Sequence, residues 1–407
     1  MKRERIILHS DMNNFYASVE CMLDPSLRNH AVAVCGAEEE RHGIVLAKNQ
    51  KAKGFGVSTG ETIWQAKQKC PDLVIVPPHY EQYLKFSNLA KEIYSRHTNR
   101  VESYGMDECW LDMSGAKDGR GVAESIRQTI KSELGLTVSI GVSFNKSIAK
   151  LASDMKKPDA ITVIERDTFW EKVWHLPVTD LLGVGPATAK RLHAFDIKTI
   201  GGLALLDDKL LKRWFGVNGL KLKRFANGID NAEVRTLDNP PPIKSIGHGI
   251  TASHDLQTPT EVWHLMLSLA QSIGSKLRFY QKTAYGVAIS IKDNQLMTRQ
   301  WQSKMDFPTQ SATTIAKECF ALFEKSYDWR STVRSVSLRA IYLEEEDHPV
   351  QLDFYTDLKS QEKREKIDLA IEEIRKRYGK KAIYNACLHN QEKDTDGVEI
   401  ILPTGMY

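Results

Sequence analysis

The sequence predicts a multidomain α+β protein, and three observations lead there. The chain has 407 residues, more than one ordinary hydrophobic core encloses, so about two to four domains are expected. The order strand, helix, strand, strand, helix, strand occurs twice, which is the split βαβ arrangement of an antiparallel sheet with helices on one face. Between the two copies stand Pro240, Pro241 and Pro242, which favour extended polyproline structure and end any helix.

Taken in order, RIILHSD (5–11) reads as a buried strand ending in an acid, and MNNFYASVE as a turn into a helix, so Asp11 falls at a strand end. From 31 to 78, AVAVC and GIVLA alternate with the basic, glycine-broken KNQKAKGFGV, the pattern of a small inserted subdomain. Helical spacing follows from Tyr83 to Thr98. Two strand-like pieces then flank Asp107 and Glu108, before a helix near 121–134, the strand LTVSIGVS and a helix from about Asn145. Asp11 and the Asp107–Glu108 pair thus fall on neighbouring strands. Residues 167–230 read as mostly helical.

After the prolines come KSIGHGIT, TEVWHLMLSLAQSIGSKLRFY, AYGVAISIK, MTRQWQSKM, SATTIAKECFALFEKS and TVRSVSLRAIYL, the second copy. In its last strand Val336, Leu338, Ala340 and Tyr342 alternate with Ser335, Ser337 and Arg339. One face is therefore buried and the other polar and free to bind. Near the end, KREKIDLAIEEIRKRYGKKAI reads as an amphipathic helix with Ile367, Ile371 and Ile374 on one side, to pack on the body or on a partner.

A chain 42% hydrophobic and 27% charged has the balance of a globular protein, and a net charge of only +4 does not by itself argue for nucleic acid. The six cysteines form no C-x-x-C pair and the twelve histidines no H-E-x-x-H, which excludes the usual zinc patterns and favours a reduced compartment. At the N-terminus a charged MKRER meets only three consecutive apolar residues, too few for a signal-peptide core or a membrane span. A cytoplasmic location is expected.

The stretch YGMDECWLDMSG (104–115) sets Asp107, Glu108 and Asp112 among apolar side chains with no base beside them. An unpaired carboxylate away from water is costly, whereas acids that converge on a divalent cation become favourable neighbours. Asp11, Asp107 and Glu108 suffice to hold two Mg²⁺ about 4 Å apart, a clamp for the attacking and leaving oxygens of phosphoryl transfer. Spacing alone leaves a solvated acidic hairpin turn as the alternative.

DMNNFYASVE (11–20), YGMDECWLDMSG, SIGVSFNKSIAKLASDMKKPDAI and LLGVGPATAKRL, in this order and spacing, resemble the motifs of Y-family, translesion DNA polymerases. The resemblance runs from about Ile6 to Leu343. It implies a right-hand polymerase: a split βαβ palm (1–30 and 79–166), small fingers (31–78), a helix-hairpin-helix thumb (167–231), a linker (232–243) and a βαββαβ little finger (244–345). A C-terminal clamp-binding segment and helix (346–407) would complete it. Asp11, Asp107 and Glu108 become the catalytic metal ligands, joined by the backbone carbonyl of Met12, with Mn²⁺ an alternative to the Mg²⁺ pair. Asp112 is read as a framework acid that accepts hydrogen bonds at the end of a hairpin strand.

By the same resemblance Phe15 and Tyr16 are nucleotide-pocket aromatics, with Tyr16 the steric gate beneath the sugar, and Lys53 and Lys157 hold the triphosphate. The chain departs from the commoner pattern at Gln50 and Lys53, where many members have Tyr and Arg, and at Asn13 and Gly105, where polymerase IV-type members have Asp and Ser. Asn13 and KNQKAK are more similar to the polymerase V catalytic subunit and its Gram-positive relatives, and the subfamily reading leans that way. Gly183 and Gly185, with Lys190 and Arg191, are the expected phosphate contacts of the thumb hairpin. Lys244, Ser245, Arg299, Ser337 and Arg339 are the expected contacts of the little finger to DNA. Gln351, Leu352 and Phe354 look like a peptide that plugs into the sliding clamp.

The expected function is template-directed, low-fidelity DNA synthesis past damaged bases, without proofreading, on primer-template DNA and dNTPs. Accessory subunits of SOS or recombinase type are left open as partners, no membrane is involved, and a monomer on DNA is the simplest expectation. A paralogue that binds without catalysis and a nucleotidyl cyclase built on a similar palm are the rivals. The intact acids oppose the first, and the thumb and little finger would have no purpose in the second.

Overall fold

The computed structural model describes residues 5–37, 43–348, 358–379 and 382–388. Two compact units divide between Pro241 and Pro242. In the first, β1 (Ile7–Met12) leads through helix α1 (Phe15–Leu23) to β2 (Val32–Cys35), β3 (Val45–Lys48), the short helices α2 (Gln50–Gly54) and α3 (Ile63–Lys69), and β4 (Val74–Val76). Helix α4 (Tyr80–Ser95), β5 (Val101–Ser103), β6 (Glu108–Asp112), α5 (Gly119–Leu134), β7 (Val138–Ser143), α6 (Lys146–Met155) and β8 (Ile161–Val163) follow. The sheet order is β5-β6-β1-β7-β8, with a separate small sheet β3-β2-β4.

All six residues of β1 are buried, because both faces of the sheet are covered. Leu8 pairs with Leu111 and Val142, and this row lies in one core with Ala17, Tyr94, Ile126 and Ile130 of α1, α4 and α5. The alternate row belongs to α6: Ile7 and Trp110 pack with Ala149, His9 bonds Ser153, and the Trp110 Nε1–H donates to the Lys146 carbonyl. The sequence expectation of helices on one face holds for α1, α4 and α5, while α6 crosses the opposite face. Gly141 makes that crossing close, since a Cβ there would land inside the Ala149 carbonyl and against the Ser153 N–H. Backbone cannot yield as a flexible side chain does, so Gly141→Ala is expected to cost about 3 kcal/mol, the upper end of overpacking. Urea unfolding of the full chain checks this, and a loss below about 0.5 kcal/mol would contradict the close approach.

The unit ends in α7 (Phe169–Val173), α8 (Pro186–Ala194), α9 (Ile200–Ala204) and α10 (Asp208–Ala226), around a core of Phe169, Leu192, Leu203 and Leu211. Helix α10 is interrupted at Gly216, whose φ is +62°.

The second unit is a four-stranded antiparallel sheet with helices. Its elements are β9 (Ser245–Leu256), α11 (Pro259–Phe279), β10 (Lys282–Asp293), β11 (Thr298–Thr309), α12 (Ala312–Ser326), β12 (Val333–Glu345) and α13 (Leu358–Tyr378), with strand order β11-β10-β12-β9. Ile250, Val336 and Ile291 form one cross-strand row, packed in the core with Val262, Ile273 and Ile315 of α11 and α12. The alternate row, Gly249, Ser337, Ser290 and Gln300, faces away from that core.

Helix α13 forms where the sequence expects a helix and packs on the body of this unit. It docks through acids: Glu372 takes Arg278 Nε at 2.6 Å, Asp368 accepts the Ala312 N–H at 3.0 Å at the start of α12, and Glu365 meets Thr309. Ile367 and Ile374 remain 48% and 37% exposed. A carboxylate at a helix N-terminus and a paired guanidinium are directional anchors that an isoleucine stripe of low contrast does not supply. No helix among the described residues is long and apolar enough to cross a membrane.

Candidate active site

Antiparallel pairing sets Asp11 directly opposite Glu108, and the Met12 N–H donates to the Asp107 carbonyl at 2.9 Å. Carboxylates from β1, from β6 and from the turn before β6 are thereby brought to one sheet end by backbone pairing. The loop before them requires a positive φ: Gly105 sits at +99°, and a Cβ there would stand 3.3 Å from Asp107 Oδ1. That is a physical reason for glycine at this position.

Asn13 has a similar account. Its Nδ2 donates to Ser139 Oγ at 2.9 Å and its Oδ1 accepts the Asp159 N–H at 2.8 Å. The neutral amide ties β1 to the loop after Lys157 without adding another buried charge to the acids.

Two lysines of α6 and the residues after it face the cluster. Lys150 Nζ is 2.7 Å from Glu108 Oε1, 3.6 Å from Asp11 Oδ2 and 3.4 Å from Asp154 Oδ2. Lys157 Nζ is 2.6 Å from Asp11 Oδ2 and 2.8 Å from Asp154 Oδ1. Lys157 was expected here; Lys150 was not, although Lys150, Asp154 and Lys157 recur at helical spacing in KLASDMKK. Burial pushes the Asp107 carboxyl up to about 7, helped by the charges of Asp11 and Glu108. Asp11 is also raised, by burial against the opposing pull of Lys157. His9, fully buried beneath the cluster with Nε2 3.5 Å from Glu108, is held neutral, its pKa lowered to about 3 by burial and by Lys150.

The donor set suits a hard divalent cation: three carboxylates and the buried Met12 backbone, with like charges close enough to disturb one another. Among the described residues no three acidic, histidine or cysteine side chains converge on a single point. Asp11 and Glu108 are turned onto the two ammonium groups instead. Asp112 stands apart, its Oδ1 accepting the Ser114 N–H at 3.0 Å and the Ser114 hydroxyl at 2.5 Å, as a framework acid should.

Tyr16 stacks on Tyr83 with centroids 4.2 Å apart and planes 9° from parallel, and its hydroxyl reaches Met106 Sδ at 3.7 Å. Tyr83 is fully buried and donates to the buried Glu20 carboxylate, which also bonds His79 at 3.0 Å. Sequence reading singles out Tyr16 but not this support, which spans 63 residues between Glu20 and Tyr83. Phe15 is only 3% exposed, within the core behind Tyr16. Lys53 is exposed on α2, close enough to Lys48 to lower its pKa after burial.

Farther out, Gly183 takes φ +93°, as expected of a tight hairpin, and Gly185 caps the N-terminus of α8. Lys190 is exposed, whereas Arg191 donates to the Trp214 carbonyl and lies 4.6 Å over the Phe215 ring. In the second unit Lys244 and Arg339 are exposed and Ser245 and Ser337 half-buried. Arg299 is a correction: it shares the row of Ile291 and Val336 on the helix-covered side and pairs with Asp328 at 3.2 Å. Strand β11 lies at the sheet edge, and its register with Ile291 sets position 299 on that side. Gln351, Leu352 and Phe354 lie outside the described residues.

A model described as the impB/mucB/samB family matches residues 10–154, and one for the C-terminal domain of the same family matches 243–354. The chain is 47% identical over 380 residues to a DNA polymerase IV of Acetivibrio thermocellus, covering 92% of this chain and 95% of that one. It is 36% identical to DNA polymerase IV 1 of Bacillus subtilis, over 97% and 96% of the two chains. Both carry the polymerase IV name, so the lean toward the polymerase V subunit gains nothing from them. A solved Y-family DNA polymerase chimera shares the fold, with TM-score 0.75 and 22% identity over 83% of this chain and 99% of that one. The chain belongs to the impB/mucB/samB family and is a Y-family, DNA-directed DNA polymerase.

Proposed function

We propose that this polymerase extends primers past damaged template bases with low fidelity, by two-metal-ion nucleotidyl transfer and without proofreading. The observation that carries the reading is the register of Asp11 opposite Glu108, with Asp107 adjoining and Tyr16 held near by Tyr83. In this reading residues 1–30 and 79–166 are palm, 31–78 fingers, 167–231 thumb and 244–345 little finger. The fingers' helices α2 and α3 have only five and seven residues, little side-chain mass to test a base pair for fit.

Bound Mg²⁺, or Mn²⁺, would supply acidification of the primer 3′-OH and charge neutralisation on the triphosphate. Asp11, Asp107, Glu108 and the Met12 carbonyl hold and orient that charge. Lys157 and Lys53 bind phosphate oxygens, Tyr16 excludes a ribose 2′-OH, and Phe15 backs its ring. Gly183, Gly185 and Lys190 follow the duplex backbone at the thumb, and Lys244, Ser245, Ser337 and Arg339 do so from the open sheet face, contacts that position without reading sequence. Templated extension of a primer in Mg²⁺, on intact and abasic templates, tests the reading. Binding without incorporation would favour the idle paralogue, and synthesis that stops at every lesion would remove bypass.

Gln351, Leu352 and Phe354 are assigned to the sliding clamp. Truncation there would also strip α13 from α11 and α12, so the paired changes Leu352→Ala and Phe354→Ala are the cleaner test. They are expected to abolish clamp stimulation of processivity while basal synthesis stays at the parent level, and equal stimulation would contradict the assignment.

A further inference from the structure

Four carboxylates, Asp11, Asp107, Glu108 and Asp154, share the mouth of the acid site with two ammonium groups. The lysines do not bond outward. Lys150 bridges Glu108, Asp11 and Asp154, and Lys157 bridges Asp11 and Asp154. Asp154 is the odd member. It sits one helical turn beyond Lys150, 45% exposed, outside the set Asp11, Asp107 and Glu108 that the strands hold together.

We infer that Lys150 is a resident counter-cation of the acid site that competes with divalent metal for Glu108 and Asp11, and that Asp154 is the anchor onto which it withdraws. The inference rests on the polymerase reading of the acids and deepens it.

The argument is electrostatic and geometric. A half-buried carboxylate without a cation carries a desolvation cost, so an ammonium at 2.7 Å offsets that cost at Glu108 and holds its strand end in place before any substrate arrives. A divalent ion placed on the same oxygens would face that ammonium at contact distance, where Coulomb repulsion is strong. The two can exchange at low cost only if the lysine has somewhere else to go. Lys150 already touches Asp154 on its own helix, at i,i+4 spacing where side chains are neighbours, so withdrawal needs a side-chain rotation and no movement of α6. Asp154 equally receives Lys157, which frees Asp11 by the same motion. Lys150 acts through the ligands and is a positioning residue, and Asp154 sets how readily it leaves.

Opposite shifts from two substitutions test this. Mn²⁺ is titrated calorimetrically into the full chain without DNA or nucleotide, so the readout does not depend on synthesis. Lys150→Met is expected to bind Mn²⁺ about tenfold more tightly than the parent, or about 1.4 kcal/mol. Asp154→Asn is expected to bind more weakly, because the ammonium is then confined to the ligand carboxylates. Lys150→Arg keeps a cation in place and should lack the tightening of Lys150→Met. The tightening should persist in high salt, which screens distant surface charges but not a contact pair.

Unchanged or weaker affinity in Lys150→Met with its circular dichroism intact would overturn the inference, as would both neutral variants shifting the same way. If Lys150→Met fails to fold, Lys150→Gln carries the test; loss of fold in both would make the ammonium structural and equally overturn it. Failure of the parent to extend a primer would instead remove the polymerase reading, a separate result from the titration.

Discussion

Asp107→Ala is expected to lower templated primer extension at least about a thousandfold while leaving primer-template affinity within about a factor of two. Its carboxyl is near enough to Asp11 and Glu108 at the end of the sheet to feel both charges, and the remaining acids cannot replace its own. DNA affinity is expected to come from phosphate contacts spread over the proposed thumb and little-finger residues, with no contribution from this side chain. Steady-state extension and fluorescence anisotropy measure the two quantities separately. Retained synthesis would remove Asp107 from the metal set, and equal loss of binding would make it structural.

A second readout needs no DNA. The folded-state pKa of Asp107, about 7, lies above its ordinary value because burial and the neighbouring acids disfavour its charge. A raised carboxyl pKa contributes stability that is fully present below the ordinary value and lost as pH rises through about 7. In chelator, then, Asp107→Ala should melt higher relative to the parent at pH 8 than at pH 6. An acid kept at a cost to stability is what a site built for function predicts. Asp112, satisfied by Ser114, should show the reverse, destabilisation on replacement with synthesis retained.

Legibility in the sequence followed the range of the interaction. Strands 7–12, 108–112 and 138–143 carry their own apolar runs, so the pairing that joins Asp11 to Glu108 could be read from order and pattern. Asp112 reads as framework from its place at the end of a hairpin strand, and its partner Ser114 is only two residues on. Lys150 was missed because its partner Glu108 is 42 residues away, and a lysine on a helix reads as solvated until the helix is known to cross the acid face. Arg299 went wrong for a different reason. A strand that is polar on both sides gives no hydrophobic alternation to fix its phase, and one residue of slip moves a side chain across the sheet. From sequence the three isoleucines of α13 look like a face, while the acids Glu365, Asp368 and Glu372, at positions that share a face, make the contact.

Sugar selectivity is expected to collapse in Tyr16→Ala, with the ratio of kcat/KM for a deoxyribonucleotide over its ribonucleotide falling about ten- to a hundredfold. The magnitude is that of relieving one steric overlap, about 1 to 3 kcal/mol, at about 1.4 kcal/mol per tenfold. A gate must be rigid to discriminate by one oxygen atom. The Tyr16 ring is pinned by the parallel ring of Tyr83 at 4.2 Å, by Phe15 behind it, and by Tyr80 edge-on at 5.9 Å. Tyr83 in turn cannot slide, because it is fully buried and its hydroxyl is bound to Glu20. The Tyr16 hydroxyl reaches only a thioether, a weak acceptor at 3.7 Å, so in the proposed gate the ring and not the hydroxyl would do the excluding. Tyr16→Phe should accordingly keep the parent's selectivity, while Tyr83→Ala, which removes the backing ring but leaves the gate in place, should lose part of it. Single-nucleotide insertion with matched dNTP and rNTP measures all three. Unchanged discrimination in Tyr16→Ala would take this residue out of the gate, and a large loss in Tyr16→Phe would shift the role from the ring to the hydroxyl.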